Sequence, residues 1–410
     1  MLLKFSVANY RSFKNEAMLD LKACSIKELA ENTFLGRPGS QPIYLLKAIA
    51  ALGANASGKS NLLKAFALMQ YWVGNSLNVP AADKKYRPEP YLLSTATENE
   101  PSRFDCTLLI ANVVYRYGFE LHQTRVVSEW LYRTTKRKEE AIFTRKADRF
   151  LFLKRFQTDE KNKLLMLTEV TRPDVLYLTV MAQFNIDFAS EISKWFASAA
   201  LCSQSGQNQA FEQTQYMMAN PKFRALFNEI LEKSDLGFTE IEGLRKKRGA
   251  ANGNDSAYRP LSVNHLKYNA KNKPVEIVSF DLGGEESSGS QKLIAILGPI
   301  VNALLEGGVV WIDEFDSRIH PYLSVMLMGM FNSVQYNSKG AQLIAVCYNQ
   351  QILKKLRRDQ MVFLNKDAYG ASSVSVLYNL NTHVRSNAMF DKEYMQGLYG
   401  GVPKINKVYS

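Results

Sequence analysis

Cysteine is scarce in this chain, and the spacing of the few cysteines argues against two kinds of stabilising site. The 410 residues contain Cys24, Cys106, Cys202 and Cys347, with no C-x-x-C pair among them. Structural zinc sites and disulfide frameworks both need cysteines in closer patterns. We therefore expect neither kind of site, and we expect the protein to reside in a reducing cytoplasm.

Histidine is scarce as well. The four histidines, His122, His265, His320 and His383, are scattered and lack H-N-H spacing, and no TOPRIM-like acidic pattern accompanies them. The sequence therefore contains no nuclease constellation. Any nuclease effector that acts with this protein would be another chain.

The sequence also lacks an uninterrupted apolar run of membrane-spanning length. Its most apolar window, residues 293–312, is broken by Asn302, Glu306 and the pair Gly307-Gly308. A membrane helix needs about 20 consecutive apolar residues, and the opening MLLKFSVANYRSF does not follow a signal-peptide pattern. We expect no membrane partner, and the window predicts a buried helix, a glycine C-cap and a buried strand.

The composition is that of a globular protein with an excess of basic residues. The chain is 46% hydrophobic and 22% charged, with a net charge of +12, which attracts phosphate-rich partners without choosing among them. Residues 125–163 contain 12 Lys/Arg against 6 Asp/Glu, and residues 243–273 contain 8 against 1. The second segment predicts an exposed basic loop, which is either a nucleic-acid contact or a solvated surface.

The stretch GANASGKSN, residues 53–61, fits the pattern G-x-x-x-x-G-K-[ST]. An apolar run precedes it and a helical apolar spacing follows, so the context is strand, loop, helix. In such a loop the backbone N–H groups surround phosphates, the lysine reaches the β/γ oxygens and the serine hydroxyl can bind Mg²⁺. The predicted ATP-binding residues are Gly53, Asn55, Ser57, Gly58, Lys59, Ser60 (also the Mg²⁺ ligand) and Asn61.

A second motif supplies carboxylates for the same site. In GGVVWIDEFD, residues 307–316, four apolar residues carry Asp313 to the carboxyl end of a predicted strand. From a neighbouring strand in the sheet, Asp313 can hold Mg²⁺ directly or through water. Glu314 would polarise the attacking water.

A third motif implies two subunits. The turn Ser-Ser-Gly-Ser, residues 287–290, opens a predicted helix. The P-loop, residues 53–61, already supplies the N–H groups of its own phosphate site. A second set of N–H groups that could bind phosphate is explained if two protomers enclose the nucleotide between them. The motif therefore predicts a homodimer or a higher homo-oligomer.

Taken together, the motifs resemble those of known ATPases. The arrangement is similar to ABC-type ATPases of the RecF and chromosome-maintenance kind, in which the signature turn of one subunit caps the ATP of the other. More closely, GANASGKSNLLKA, ESSGSQKL, IDEFDSRIHP, LRRDQ and LYGGVP resemble the bacterial AAA-type ATP-binding family of phage-defence loci, whose members include RloA, PtuA and AriA.

The resemblance implies roles at matching positions. Lys59 and Ser60 match the Walker A residues, Asp313 the Walker B carboxylate and Glu314 the catalytic glutamate. Ser287 and Gly289 match signature residues that contact the γ-phosphate in trans. Residues 316–321 match the D-loop region, with His320 as the histidine of the Leu-His-Pro motif.

One position departs from the family. The switch histidine that holds the γ-phosphate falls on Tyr348, in AVCYN. A phenol with a reference pKa of about 10 is neutral near pH 7; it can donate one hydrogen bond to phosphate but cannot switch protons as imidazole does. Either Tyr348 leaves ATP binding intact and slows hydrolysis, or His320 or a water compensates and turnover is normal.

The motif LRRDQ, residues 356–360, combines two guanidinium groups with a carboxylate. It could pair across an interface or grip a phosphate, because arginine suits both roles. The alternative is a structural ion-pair cluster beside a strand.

The predicted fold is α/β: an ABC-type P-loop ATPase head with a largely helical insertion. We expect residues 1–122 and 276–410 to form the head and 123–275 to form the insertion, for partner docking or coupling. Residues 104–133, which run across the boundary at residue 122, predict antiparallel strands with a turn at Ala-Asn.

The predicted function is an ATP-hydrolysing switch that senses phage and controls a toxic nuclease effector. One alternative is a RecF-like DNA-repair ATPase that binds nucleic acid through the basic insertion. Another is a scaffold that binds ATP but does not hydrolyse it because of Tyr348.

Overall fold

The computed structural model describes most of the chain. The described residues are 1–38, 42–78, 86–123, 125–135, 138–152, 158–203, 207–238, 240–242, 261–380, 384 and 388–403. His383 and residues 243–260 of the predicted basic loop lie outside them. The rest of that predicted loop includes a strand, Ser262–Tyr268, rather than loop alone.

The described residues form strands and helices in mixed order, which confirms the predicted α/β class. The strands are β1 Leu2–Ala8, β2 Ala17–Asp20, β3 Thr33–Gly36, β4 Ile43–Leu46, β5 Ala48–Gly53, β6 Ser102–Ile110, β7 Val113–His122, β8 Arg125–Thr135, β9 Lys138–Lys146, β10 Arg149–Phe152, β11 Ala200–Cys202, β12 Glu240–Glu242, β13 Ser262–Tyr268, β14 Pro274–Asp281, β15 Val309–Ile312, β16 Gln342–Val346, β17 Met361–Lys366 and β18 Ser372–Val376. The helices are α1 Lys59–Asn75, α2 Thr158–Glu169, α3 Tyr177–Gln183, α4 Asp187–Ser198, α5 Gln207–Met217, α6 Pro221–Lys233, α7 Ser288–Glu306, α8 Pro321–Asn332 and α9 Phe390–Met395.

Seven strands form an antiparallel sheet in the order β10-β9-β8-β7-β6-β1-β2. Strands β6 and β7 join through Ala111 and Asn112, which both have positive φ, 46° and 64°. Two such residues form the tight hairpin turn whose twist matches the flanking strands. The predicted antiparallel strands and their Ala-Asn turn are confirmed.

Six strands form the second sheet, in the order β11-β15-β16-β5-β17-β18. All neighbours in it are parallel except β17 and β18. Every residue of β5, β15 and β16 is buried, as expected when both faces of a parallel sheet are covered. We predicted Asp313 on a neighbour of the P-loop strand, but β16 lies between β15 and β5.

Helix α1 packs between the two sheets. Phe66 on α1 stacks on Trp311 of β15, with ring centroids 4.6 Å apart, and Phe5 of β1 meets both rings edge-on at 5.4 and 5.7 Å. All three side chains are fully buried. Burying each side chain contributes roughly 1.5–3 kcal/mol. These contacts fix the position of α1 relative to β1 and β15.

Helix α7 covers the opposite face of the parallel sheet. It is the one helix in the described part of the chain that is long and apolar enough to cross a membrane. Within this helix, 72% of the apolar 18-residue window is buried inside the fold. It ends at Gly307, whose φ is 78°, and β15 follows. The predicted sequence of buried helix, glycine C-cap and buried strand is confirmed.

The segment 123–275 contributes to both sheets as well as containing helices α2 to α6. Strands β8 to β10 continue the antiparallel sheet beyond β7, and β11 forms the edge of the parallel sheet next to β15. The predicted boundary at residue 122 therefore falls inside a sheet, because β7 and β8 are consecutive strands of one hairpin.

Two polar clusters tie distant parts of the chain together. The amide of Gln342 at the start of β16 accepts from Leu2 N at 2.7 Å and donates to Leu2 O and Leu46 O. In LRRDQ, Arg357 and Asp359 pair at 2.9 Å with both side chains buried, and Arg357 donates to three carbonyls of residues 24–28. The LRRDQ motif thus forms a structural cluster within the chain.

Candidate functional site

The loop between β5 and α1 has the backbone that its sequence predicts. Gly58, with φ 107°, is the N-cap of α1. A Cβ there would lie 2.5 Å from Ser372 Oγ and 2.9 Å from Ser12 Oγ. Both the left-handed backbone and the lack of space require glycine, so the loop closes tightly over the start of α1.

Lys59 lies inside this loop and is held by it. Its Nζ donates to Gly53 O at 2.6 Å and to Ala54 O at 2.8 Å, and 4% of the residue is exposed. Burial lowers the pKa of the ammonium group, while Asp313 and other nearby anionic groups act to raise it. A buried cation facing carboxylates and loop carbonyls is a ready partner for an anion that enters the loop.

Two buried hydroxyl groups border the same loop. The Oγ atoms of Ser57 and Ser372 have no hydrogen-bond partner among the described residues. A buried unpaired polar group costs about 1–3 kcal/mol, which a ligand with acceptor oxygens would relieve. Ser12 Oγ accepts from Asn61 Nδ2 at 2.8 Å, so Asn61 joins the loop to the segment after β1.

Asp313 and Glu314 follow β15 at the carboxyl edge of the parallel sheet. Glu314 N donates to Asp313 Oδ1 at 3.0 Å, and Glu314 has a positive φ of 49°. Lys292 of α7, 3% exposed, donates to Asp313 O at 3.2 Å. Burial lowers the pKa of Lys292, opposed by Cys202, Glu314 and Asp313.

Asp316 connects this acidic segment to the end of β16. Its Oδ2 accepts from Tyr348 N at 2.8 Å and also from Asn349 N. Burial raises the pKa of the Asp316 carboxyl group, and the two backbone donors oppose that rise. Asn349 Nδ2 donates to Pro321 O and Ser324 Oγ, so the segments after β15 and β16 form one cross-linked edge.

Tyr348 projects from that edge over the P-loop lysine. The Lys59 Nζ lies 4.3 Å from the centroid of the Tyr348 ring, and 43% of Tyr348 is exposed. Burial and then Glu314 are the main causes that raise the pKa of the phenol, so it is neutral near pH 7. The structure thus brings Lys59, Asp313, Glu314 and Tyr348 into one site.

The turn at residues 287–290, here called the signature turn, contacts its own helix and the segment around residue 318. Ser287 is the N-cap of α7, and its Oγ accepts from Ser290 N at 3.1 Å. A Cβ at Gly289 would lie 2.6 Å from Arg318 O, so Gly289 packs under the segment that follows Glu314. These contacts join the turn to its own helix and to residue 318, and Ser287 and Ser288 are exposed.

Sequence reasoning missed several residues that build the site. The motifs assign no role to Ser12, to Ser372 or to Lys292, which lies inside ESSGSQKL, because their roles come from contacts between distant segments. Asp316 was assigned to the D-loop region without its contact to Tyr348. His320 caps α8, accepting from Tyr322 N through Nδ1 at 3.3 Å.

Comparisons with known proteins give a family and a set of similar solved structures, two of which are SMC head domains. The family described as "AAA domain, putative AbiEii toxin, Type IV TA system" has a model that matches residues 52–346. The SMC head domain from Thermotoga maritima is 13% identical, with a TM-score of 0.42, over 92% of this chain and 98% of that chain. An Smc head domain with an extended coiled coil, bound to the C-terminal domain of ScpA and derived from Pyrococcus furiosus, is 13% identical, with a TM-score of 0.41, over 92% and 96%. No curated protein matches the chain.

Proposed function

Because the chain belongs to the AAA-domain family whose model spans residues 52–346, we propose that it binds and hydrolyses Mg-ATP and acts as a nucleotide-gated switch. The observation that carries this proposal is the position of Lys59. Its ammonium group is buried in a glycine-closed loop at the carboxyl edge of a parallel sheet, beside Asp313 and Glu314. Such an edge is where α/β proteins bind nucleotides.

The chemistry follows from the donor set. Lys59, the loop N–H groups and the hydroxyl groups of Ser57 and Ser60 would bind the phosphate oxygens. Mg²⁺, when bound, would neutralise developing phosphate charge, and Ser60 and Asp313 are the oxygen ligands available to hold it. Glu314 is the residue that would orient and deprotonate the attacking water.

We propose that a second protomer completes the site. Ser287 and Ser288 are exposed at the start of α7, and the contacts of the turn are with its own helix and with Arg318. A helix N-terminus offers N–H donors to an anion. The γ-phosphate on a second copy of the chain is the ligand that the resemblance to ABC-type ATPases implies, which makes the protein a homo-oligomer when ATP is bound.

The biological role we propose is control of a toxic effector in antiviral defence. The family description includes a toxin of a toxin–antitoxin system, and the motifs resemble those of phage-defence ATPases. A nuclease effector would be a separate subunit, held or released according to the nucleotide state.

A DNA-repair ATPase is the second candidate, and exposed basic residues favour it. Lys138, Lys146 and Arg149 are exposed on β9 and β10, within the segment of net positive charge. DNA would then stimulate phosphate release, and the stimulation would fall steeply with salt because released counterions drive such binding.

The test is steady-state phosphate release at saturating Mg-ATP, alongside nucleotide binding. We expect slow release by the wild type, faster release by Tyr348→His, and release reduced by about 10²–10⁴-fold in Glu314→Gln. Lys59→Ala should not bind ATP. The proposal fails if the wild type does not bind Mg-ATP.

The same assay separates the remaining alternatives. Binding without phosphate release in the wild type would make the protein a scaffold. An ordinary rate that Tyr348→His does not raise would show that Tyr348 is no brake, while the ATPase assignment stands.

A further inference from the structure

The glycine turn, residues 397–402 after α9, lies directly against the first residue of the P-loop. A Cβ at Gly401 would be 3.4 Å from the Cα of Gly53 and 3.6 Å from the Cβ of Phe363. Gly53 O is the acceptor of the shorter Lys59 hydrogen bond, at 2.6 Å. The turn therefore touches the residue whose carbonyl positions the P-loop lysine.

Asn365 fixes the turn in this position. It follows Leu364, the partner of Gly53 in the ladder between β17 and β5, and its Oδ1 accepts from Gly401 N at 2.5 Å. A Cβ at Gly400, where φ is 74°, would lie 2.3 Å from the same oxygen. The close approach of Asn365 thus requires glycine at position 400 and orients the N–H of position 401.

The opposite side of the turn is anchored in the core. Tyr394 on α9 donates from its hydroxyl group to Gly401 O at 2.9 Å. The ring of Tyr394 stacks on Phe363 of β17 with centroids 5.3 Å apart, and Tyr399 packs on the same ring at 5.5 Å. Gly401 is therefore held through both its N–H and its carbonyl oxygen while its Cα faces Gly53.

We propose that the glycine turn is part of the nucleotide site and that Asn365 is a positioning residue for nucleotide binding. Asn365 holds Gly401 against Gly53, and Gly53 in turn holds the ammonium group of Lys59. The proposal rests on the proposed function, in that the P-loop is taken to bind Mg-ATP. It assigns a role to LYGGVP, a motif that the ATP-binding chemistry itself leaves unused.

The experiment compares Asn365→Ala with Ser375→Ala. Asn365 Nδ2 also donates to Ser375 Oγ at 3.3 Å, so Ser375→Ala removes the other hydrogen bond of Asn365 and leaves the bond to Gly401. The two readouts are the dissociation constant for Mg-ADP and the hydrogen exchange of residues 54–60 in protein without nucleotide. Asn365→Asp keeps the acceptor oxygen and serves as the conservative variant in the exchange measurement.

We expect Asn365→Ala to weaken Mg-ADP binding about tenfold, the loss that one buried hydrogen bond produces, and to speed exchange at residues 54–60. Ser375→Ala should change neither readout, and Asn365→Asp should retain the exchange protection. Wild-type Mg-ADP affinity and unchanged exchange in Asn365→Ala would overturn the proposal. If the wild type binds neither Mg-ADP nor Mg-ATP, the proposed function fails, and the exchange readout alone decides whether the turn positions the loop.

A second pair of variants covers the case in which Asn365→Ala does not fold. Gly401→Val and Gly237→Val place the same side chain on similar backbones, with φ of 72° and 78°, but a Cβ at Gly237 meets no atom within 4 Å. The backbone strain is therefore matched. Weaker Mg-ADP binding and faster P-loop exchange in Gly401→Val alone support the proposal, and equal effects in both variants overturn it.

Discussion

Tyr348, whose position the motif resemblance assigns to a switch histidine, contacts the P-loop lysine directly. The ammonium group of Lys59 has two loop carbonyls and the Tyr348 ring around it. Because a phosphate must approach the same ammonium group, the ring and the nucleotide compete for it. A cation–π contact contributes about 0.5–2 kcal/mol. Breaking this contact would weaken the binding of nucleotide to the loop by a similar free energy.

This competition predicts that removing the ring strengthens nucleotide binding. Tyr348→Ala should lower the dissociation constant for Mg-ADP by roughly 2- to 30-fold, the equivalent of the cation–π contact. Tyr348→Phe keeps the ring and should bind as the wild type does. Titration calorimetry measures both, and weaker binding by Tyr348→Phe would instead show that the phenol hydroxyl group binds phosphate.

At the scale of elements, a buried carboxylate joins the antiparallel sheet to the helices beyond it. Glu129 on β8 is fully buried and accepts from Tyr117 OH, Tyr177 N and Leu178 N at 2.7–3.0 Å. Arg145 on β9 lies 3.6 Å away and is also buried. Burial raises the pKa of Glu129, and Arg145 and the backbone donors oppose that rise. The carboxylate thus fixes the start of α3 against the sheet.

Glu129→Gln should therefore destabilise the fold strongly. The amide offers one acceptor oxygen where the carboxylate has two, and it leaves Arg145 buried without its counter-charge. We expect the free energy of unfolding to fall by about 2–4 kcal/mol, measured by urea denaturation.

Glu120→Gln is the matched control. Glu120 lies on the adjacent strand, and its contacts to Ser128 and Arg103 are partly exposed. We expect this variant to lose less than about 1 kcal/mol of unfolding free energy. Equal losses in the two variants would contradict this role for Glu129.

The sequence predicted individual helices and strands better than it predicted the order of the strands within the parallel sheet. The P-loop, α7 with its glycine cap, and the hairpin at Ala111-Asn112 follow from local patterns, because turn geometry and helical spacing need few residues. The place of β16 between β5 and β15 could not be predicted, since all three strands are wholly apolar at their centres and any order buries them equally. Their order instead depends on contacts such as that of Gln342 with Leu2, 340 residues apart.

The same limit applies to the candidate site. The loop residues and Asp313 lie in motifs that carry their own chemistry, so the sequence alone names them as candidates. Asp316, Lys292 and Asn365 act through backbone groups of other segments. A carboxylate that accepts from the N–H of Tyr348 has the same sequence signal as any acidic residue near a strand end, which is why these contacts required the structure.

At the scale of the whole molecule, the parallel sheet brings the motifs to one edge. Helix α7 is capped by the exposed Ser287 and contacts Asp313 O through Lys292, so one helix connects the signature turn to the segment that carries Glu314. Under the proposed function, a protomer that docks on that turn would therefore act on the segment that holds Glu314.

If two protomers enclose the nucleotide between them, ATP should drive their association when hydrolysis is blocked. Glu314→Gln, a chain of 46.4 kDa, should sediment faster in saturating Mg-ATP than in Mg-ADP. Adding Ser287→Asp to this variant should abolish the shift, because aspartate still caps α7 but its charge opposes the partner's γ-phosphate. Ser287→Asn caps the helix equally well without the charge and should retain association. Analytical ultracentrifugation distinguishes them: if Glu314→Gln binds Mg-ATP but does not associate, or if the aspartate and asparagine variants associate alike, Ser287 does not meet a second nucleotide.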